Sequence, residues 1–372
     1  MTTTRWPELL PSHDRFDYRP ITRRPDYVWP NGARLAVYLG FNIEHFAFGD
    51  GLGACIGPAS PQPDVLNHGW REYGNRVGAW RCLELFDALA LPTGALVNTA
   101  LYDHCPELVQ ACVARGDELI GHGHSNAERQ GALDEPHERA LLLRCRDRML
   151  RESGQTPSGW LSPWISESAV TPDLLGETGY SYTLNWCHDD QPVRMRTRGG
   201  GSIWSVPYPQ ELNDIPMIVV RLMDAKDFSA MVVDNFDEML EQSRAQPLVM
   251  GLALHPYIVG QPYRLRHLRT ALAHLARARD RGDIWFTTPG AIASHMQQLA
   301  VERARGLWLK RPSPLHLLQI SIFDPSSTTA LFGKPRNAAA PLALWCICAN
   351  SFSRHGAMPL PSVGITTSRD RK

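Results

Sequence analysis

The chain has 372 residues, 43% of them hydrophobic and 20% charged, which suits one large α/β domain or two ordinary ones and excludes wholesale disorder. Lys+Arg and Asp+Glu both number 38, so no global field draws the chain to nucleic acid or to an anionic membrane. No apolar run approaches the roughly 20 residues that span a bilayer.

Residues 1–33 read as an extended arm broken by prolines. Its opening, "MTTTRWPELLPSHDRFDYRP", lacks the apolar stretch of a secretory signal. The eight cysteines (Cys55, Cys82, Cys105, Cys112, Cys145, Cys187, Cys346, Cys348) form no CxxC pair and no zinc-ribbon spacing. Reduced thiols in a cytoplasmic protein are therefore expected.

"RLAVYLGFNI" (34–43) is long and apolar enough for a buried strand. Residues 76–91 have helical spacing, with Trp80 on the apolar face as a core residue. Residues 93–101 read as a strand, 106–116 as a helix opened by proline and closed by glycine, and 118–122 as a short strand. The stretch 135–154 is an amphipathic helix. Further strands are expected at 158–163, 180–186, 216–222 and 247–256, with helical period at 171–179, 227–245 and 265–280. Residues 283–296 close with strand, turn and helix. Short buried strands alternating with amphipathic helices predict parallel βαβ units, and about seven of them favour a closed barrel. No GxGxxG or P-loop appears. The predicted organisation is an arm (1–33), a catalytic α/β barrel (34–300) and a weakly ordered extension (301–372).

In such barrels the chemistry sits where strands end. Polar residues fall there in six segments: Asn42, Glu44 and His45; His122, His124 and Asn126; Ser162 and Trp164; Asp189 and Asp190; Asn213 and Asp214; and His255. Asn, Asp and Ser are common at turns anyway, so any single segment carries little weight.

"NIEHF", "ELIGHGHSNAERQ", "GWLSP", "DDQP", "PYPQELNDIP" and "LHPYIVGQPYR", in that order, resemble the polysaccharide deacetylase (NodB-homology) family. They are most similar to its branch of allantoinases, cyclic imide hydrolases and peptidoglycan-deacetylase-like proteins. The resemblance covers about residues 15–298. It implies a distorted (β/α) barrel of about seven parallel strands, hydrolysis of a non-peptide C–N bond, and a homotetramer or dimer, for which the arm suits a wrapping role.

The chain departs from the family pattern at two places. Where metal-dependent members carry Asp-x-Asp, it has Asn42 and Glu44. Where they carry His-x3-His, it has His122 and Asn126. An asparagine amide is neither a base nor a good ligand for a zinc-like ion. The expected catalytic set is Glu44 as base with a pKa raised by a dry mouth, His122 holding water or polarising the carbonyl, His255 as acid, and Asp190 orienting a histidine or binding a substrate N–H. Asn42, Asn126, Ser162, Trp164, Asn213 and Asp214 are candidate substrate contacts. Trp70, Tyr73, Trp164 and Trp186 are candidate walls for a flat ring. The cofactor is either none or one divalent metal, zinc-like or manganese, on Glu44 and His122 with His124, Asn126 or Glu128. The expected activity is hydrolysis of a small amide, ureide or cyclic imide. The alternatives are a carbohydrate N-deacetylase with an atypical metal site and a ligand-binding relative without catalysis.

Overall fold

A computed structural model describes residues 12–49 and 51–305; the expected extension lies almost wholly outside them. Among the described residues there are nine strands: β1 (Leu35–Ile43), β2 (Gly94–Val97), β3 (Glu118–Gly121), β4 (Gly159–Trp160), β5 (Tyr182–Thr183), β6 (Val193–Arg196), β7 (Ser202–Ser205), β8 (Leu248–Leu254) and β9 (Ile284–Thr287). They form one sheet in the order β6-β7-β5-β4-β3-β2-β1-β8, with β9 also on β1. All pairs are parallel except β6–β7. The sheet curls, and residues Leu212 and Asn213 run beside β8 where the barrel would otherwise gape. Asn213 bridges Ala253, and the Ala253 N–H donates to the Leu212 carbonyl at 2.9 Å. The expected distorted (β/α) barrel is observed as a curled, mostly parallel half-barrel; its end strands β6 and β8 do not pair, so the sheet is not the closed ring that the repeat of βαβ units favoured.

Strand β1 is the axis of the sheet. All nine of its residues are buried, as an uninterrupted apolar run demands when both faces are covered. It pairs with β8 along Leu35–Phe41, with β9 along Leu35–Tyr38, and with β2 along Gly40–Ile43. The main apolar cluster lies between the sheet and the helices Ala79–Ala88, Pro106–Arg115, Ala225–Gln242 and Pro262–Asp280. Because β1, β3, β4 and β8 are parallel, the residues that follow them emerge on one rim.

Several expected elements differ. Residues 216–222 are not a strand: Ile215–Val220 is a wide, π-type helical turn. Pro216 has no N–H for a ladder and suits a helix start, and Val220 is 71% exposed, which a strand through this core would not allow. Strands β4 and β5 shrink to two residues each. The helix expected at 76–91 is a π-type turn, Gly74–Gly78, followed by Ala79–Ala88, and it leaves Trp80 39% exposed instead of in the core. The β6–β7 hairpin was not anticipated. Its "TRGGG" connection places Gly199 and Gly200 at positive φ, a glycine signal for a turn. The described part of the arm binds its own barrel: Arg15 grips Asp173, Arg24 grips Asp189, and the Trp29 indole N–H donates to the Leu248 carbonyl at 3.0 Å. Among the described residues the cysteines are free thiols, and no helix is long and apolar enough to cross a membrane.

Candidate active site

Glu44, His122 and His255 each follow the last residue of a parallel strand, β1, β3 and β8. Their side chains meet at one point. Glu44 Oε1 lies 3.4 Å from His122 Nε2 and 3.6 Å from His255 Nε2, with all three side chains buried. They line a cavity of about 230 Å³ that Asn42, Asn126, Ser162, Trp164 and Asn213 also line.

Each ring is held from behind. His122 Nδ1 donates to the Leu161 carbonyl at 2.7 Å, so its neutral form keeps a lone pair on Nε2. The approach of β4 that supplies this carbonyl requires Gly121: a Cβ there would sit 2.5 Å from the Trp160 ring. His255 Nδ1 donates to Asp214 Oδ1 at 2.6 Å, and Asp214 Oδ2 accepts the His255 backbone N–H at 2.8 Å. Asp214 thus orients His255, the candidate acid, from behind and does not line the cavity as a substrate contact would. Asp190, expected in that role, lies apart with Asp189 at a neighbouring cavity. Its backbone carbonyl accepts the Val249 N–H, and its side chain does not reach the histidines' cavity.

Glu44 is clamped on both oxygens. Tyr257 donates its hydroxyl to Oε2 at 2.8 Å, and Asn126 donates its amide to Oε1 at 2.5 Å. A backbone donor fixes the orientation of that amide. The His45 N–H donates to Asn98 Oδ1 at 2.8 Å, so Asn98 presents Nδ2 to the His122 carbonyl and, at 3.0 Å, to Asn126 Oδ1. The oxygen of Asn126 is therefore engaged there, and its nitrogen faces Glu44.

This geometry decides the metal question for the expected ligands. Asn126 offers a donor nitrogen where a cation needs an oxygen lone pair. His124 turns its Nδ1 to Thr99 Oγ1 at 3.1 Å, and Glu128 is exposed. Among the described residues no group of three or more His, Cys, Asp or Glu side chains is arranged to hold a metal ion. The set Glu44, His122 and Asn126 does not fit a zinc-like ion.

The electrostatics also depart from expectation. Burial alone would raise Glu44, but His255 and His122 outweigh it and hold the carboxyl below its ordinary range. Burial would lower His255, but Asp214 on one nitrogen and Glu44 on the other push it up to about 10. At neutral pH the site holds a carboxylate and an imidazolium. Glu44 is thus a poorer base than expected.

Other expected contacts are busy. The Asn42 amide donates to the Tyr208 hydroxyl at 3.0 Å, Ser162 Oγ accepts from Trp160 and Asn185, and Asn213 Oδ1 accepts the Ile215 N–H. Trp164 stands at the mouth, while Trp70, Tyr73 and Trp186 do not line the cavity. Tyr257, Tyr208 and Asn98 are further site residues, each missed because it reads as core or strand end. "HPY", with a tyrosine two residues past the candidate acid, was the one available signal.

No protein-family model matches the chain. A putative polysaccharide deacetylase of Schizosaccharomyces pombe is 24% identical over 303 residues, 74% of this chain and 93% of the relative. A peptidoglycan deacetylase of Helicobacter pylori is 23% identical over 285 residues, 68% and 93%. The crystal structure of Puue allantoinase superposes with a TM-score of 0.66 at 25% identity, over 75% of this chain and 97% of that one. A probable polysaccharide deacetylase from Pseudomonas aeruginosa PAO1 superposes equally well, at 24% identity, over 75% and 98%.

Proposed function

We propose that this chain is a member of the polysaccharide deacetylase (NodB-homology) family, a hydrolase of carbon–nitrogen bonds other than peptide bonds, and that it opens a small amide, ureide or cyclic imide. The observation that carries this reading is the cavity. At about 230 Å³ it lies below the roughly 300–1,000 Å³ of sites for drug-sized ligands, and it suits a single small ring.

The chemistry follows from the carboxylate at Glu44, the imidazolium at His255 and the tautomer that the Leu161 carbonyl imposes on a neutral His122 ring. A water beside Glu44 Oε1 loses a proton to His122 Nε2 as its oxygen attacks the carbonyl carbon. The Nε2–H of imidazolium His255 faces the developing oxyanion and then protonates the leaving nitrogen as the C–N bond breaks. The products are a carboxylic acid, which ionises into solvent, and a neutral amide or amine. The proton on His122 returns to His255 through Glu44 Oε1, which lies within 3.6 Å of both rings. Asp214 holds His255 in the productive tautomer throughout.

The names of the curated relatives favour a second reading, removal of acetyl from an acetylated carbohydrate. One assay separates the two: hydantoin, allantoin and succinimides beside N-acetyl-glucosamine oligomers, with ring opening and acetate release read in parallel. Ring opening is expected. Acetate release with no ring opening would overturn the first reading.

A further inference from the structure

We propose that the cavity selects a neutral ring carrying an apolar substituent and rejects rings bearing a carboxylate, with Trp164 and Ile165 as built specificity residues. The inference rests on the ring-opening reading above and narrows its substrate class.

Two observations carry it. The first is charge. Among the described residues that line the cavity there is no Lys or Arg. The positive group inside, His255, already stands between two carboxylates, Asp214 and Glu44. The nearby Arg71 does not line the cavity. Its guanidinium lies over the Phe46 ring, 4.8 Å from the centroid, and donates to the Ala54 carbonyl. A carboxylate on the substrate would lose part of its hydration in this cavity without a counter-charge and beside the Glu44 anion, which is unfavourable relative to leaving it in water. The acid produced by hydrolysis meets the same field, so the arrangement that rejects an anionic substrate also expels the product.

The second is shape. Besides the polar Glu44, His122 and His255, the lining includes the apolar side chains of Trp164, Ile165, Ile215, Pro216 and Val220. Trp164 and Ile165 are consecutive non-glycine residues at φ 62° and 53°. The left-handed region is unfavourable for both, and most of all for β-branched Ile165. The strain is held by the Trp164 indole N–H on the Asn126 carbonyl at 2.9 Å and by the Ile165 N–H on the Ser162 carbonyl at 2.8 Å. The first of these ties Trp164 to the residue that also clamps Glu44. A backbone held in this conformation puts two large apolar side chains in the lining of the cavity that holds the charged groups, and a ring with an apolar substituent suits such a lining.

The test compares hydantoin, 5-isopropylhydantoin and hydantoin-5-acetic acid on the full chain. Ring opening is followed by chromatography and binding by calorimetry. The isopropyl ring is expected to exceed unsubstituted hydantoin at least tenfold in kcat/KM, since each buried CH₂ is worth about a fourfold gain. The carboxylated ring is expected to fall at least 100-fold below the isopropyl ring. Val220→Arg, at an exposed rim position, is expected to raise use of the carboxylated ring more than tenfold. Equal use of the carboxylated and isopropyl rings by the unaltered chain would overturn the selection while leaving the ring-opening reading intact. Tight binding of the isopropyl ring without turnover would uphold the selection and overturn that reading. Neither binding nor turnover of any ring would overturn both.

Discussion

Two glutamates at opposite ends of the barrel carry the same kind of clamp and titrate in opposite directions. Glu118 opens β3 at the far rim, where Tyr182 donates its hydroxyl at 2.8 Å and the Gly290 N–H donates at 2.8 Å. Glu44 follows β1 at the near rim, with Tyr257 and Asn126 as donors. Burial raises the Glu118 pKa despite its hydrogen bonds, whereas Glu44 is lowered. A tyrosine hydroxyl bonds each of them, so it cannot account for the difference. The two imidazoles beside Glu44 do. A buried carboxyl with neutral donors drifts toward its acid form, and one with a cation becomes a fixed anion.

The largest break in that comparison is chemical. Glu44→Gln removes the anion that the imidazoles surround and the path that returns the proton, and kcat is expected to fall about 10³-fold. Glu118→Gln should leave kcat within twofold and lower stability by about 1 kcal/mol, because the amide nitrogen cannot accept one of the two bonds. Steady-state rates with denaturant unfolding of both variants check this. Comparable kcat losses in the two would erase the distinction between the rims.

The next effect is a shift in pH. In the proposed mechanism His255 acts while protonated, so the alkaline limb is expected near pH 10. Asp214 is among the groups that raise this pKa, so Asp214→Asn should move the limb downward by at least one unit in a kcat profile. The sign also holds for folding. The stability contributed by the raised His255 is complete below the ordinary imidazole pKa of about 6.5 and is lost as pH rises through about 10. Glu44, lowered on folding, contributes stability that is present above the ordinary carboxylate range and is lost as pH falls below it. Thermal melts across pH of the unaltered chain and His255→Gln resolve the first of these.

A smaller effect belongs to the hydroxyl. Tyr257→Phe frees Glu44 Oε2 while keeping the ring, and is expected to lower kcat about tenfold and to move the acidic limb of the profile upward. A tyrosine with a purely packing role would leave that limb in place.

The near rim was legible because parallel strands deposit their next residues together. Glu44, His122 and His255 each follow an apolar run, and that pattern can be read from the sequence. Which carboxylate stands behind His255 could not be read in the same way. Asp190 and Asp214 both sit in turn-rich stretches, and the choice depends on Asn213 bridging β8, a pairing of residues 40 apart with no periodicity to announce it. The direction of the Glu44 shift was hidden for a related reason. A dry mouth predicts a raised carboxyl, and only the 3.4 and 3.6 Å approaches of two rings from distant strands reverse it. Residues 216–222 misled because β-branched composition outweighed the single proline at their start.

The smallest expected effect bears on what the cation beside Glu44 is. If the two imidazoles and their protons supply the positive charge, prolonged treatment with a chelator should change kcat by less than twofold, and metal analysis of the treated protein should track no loss of activity. The amide of Asn126 is central to this, since its nitrogen occupies the side of Glu44 where a second imidazole would be needed for a cation site. Asn126→His replaces that donor with a ring able to offer a lone pair. This variant should gain measurable zinc binding by calorimetry while losing activity, because a bound divalent ion would compete with the proton that His255 must hold. Loss of activity on chelation of the unaltered chain, restored by added zinc, would show that the charge at the near rim comes from a metal and not from the paired rings.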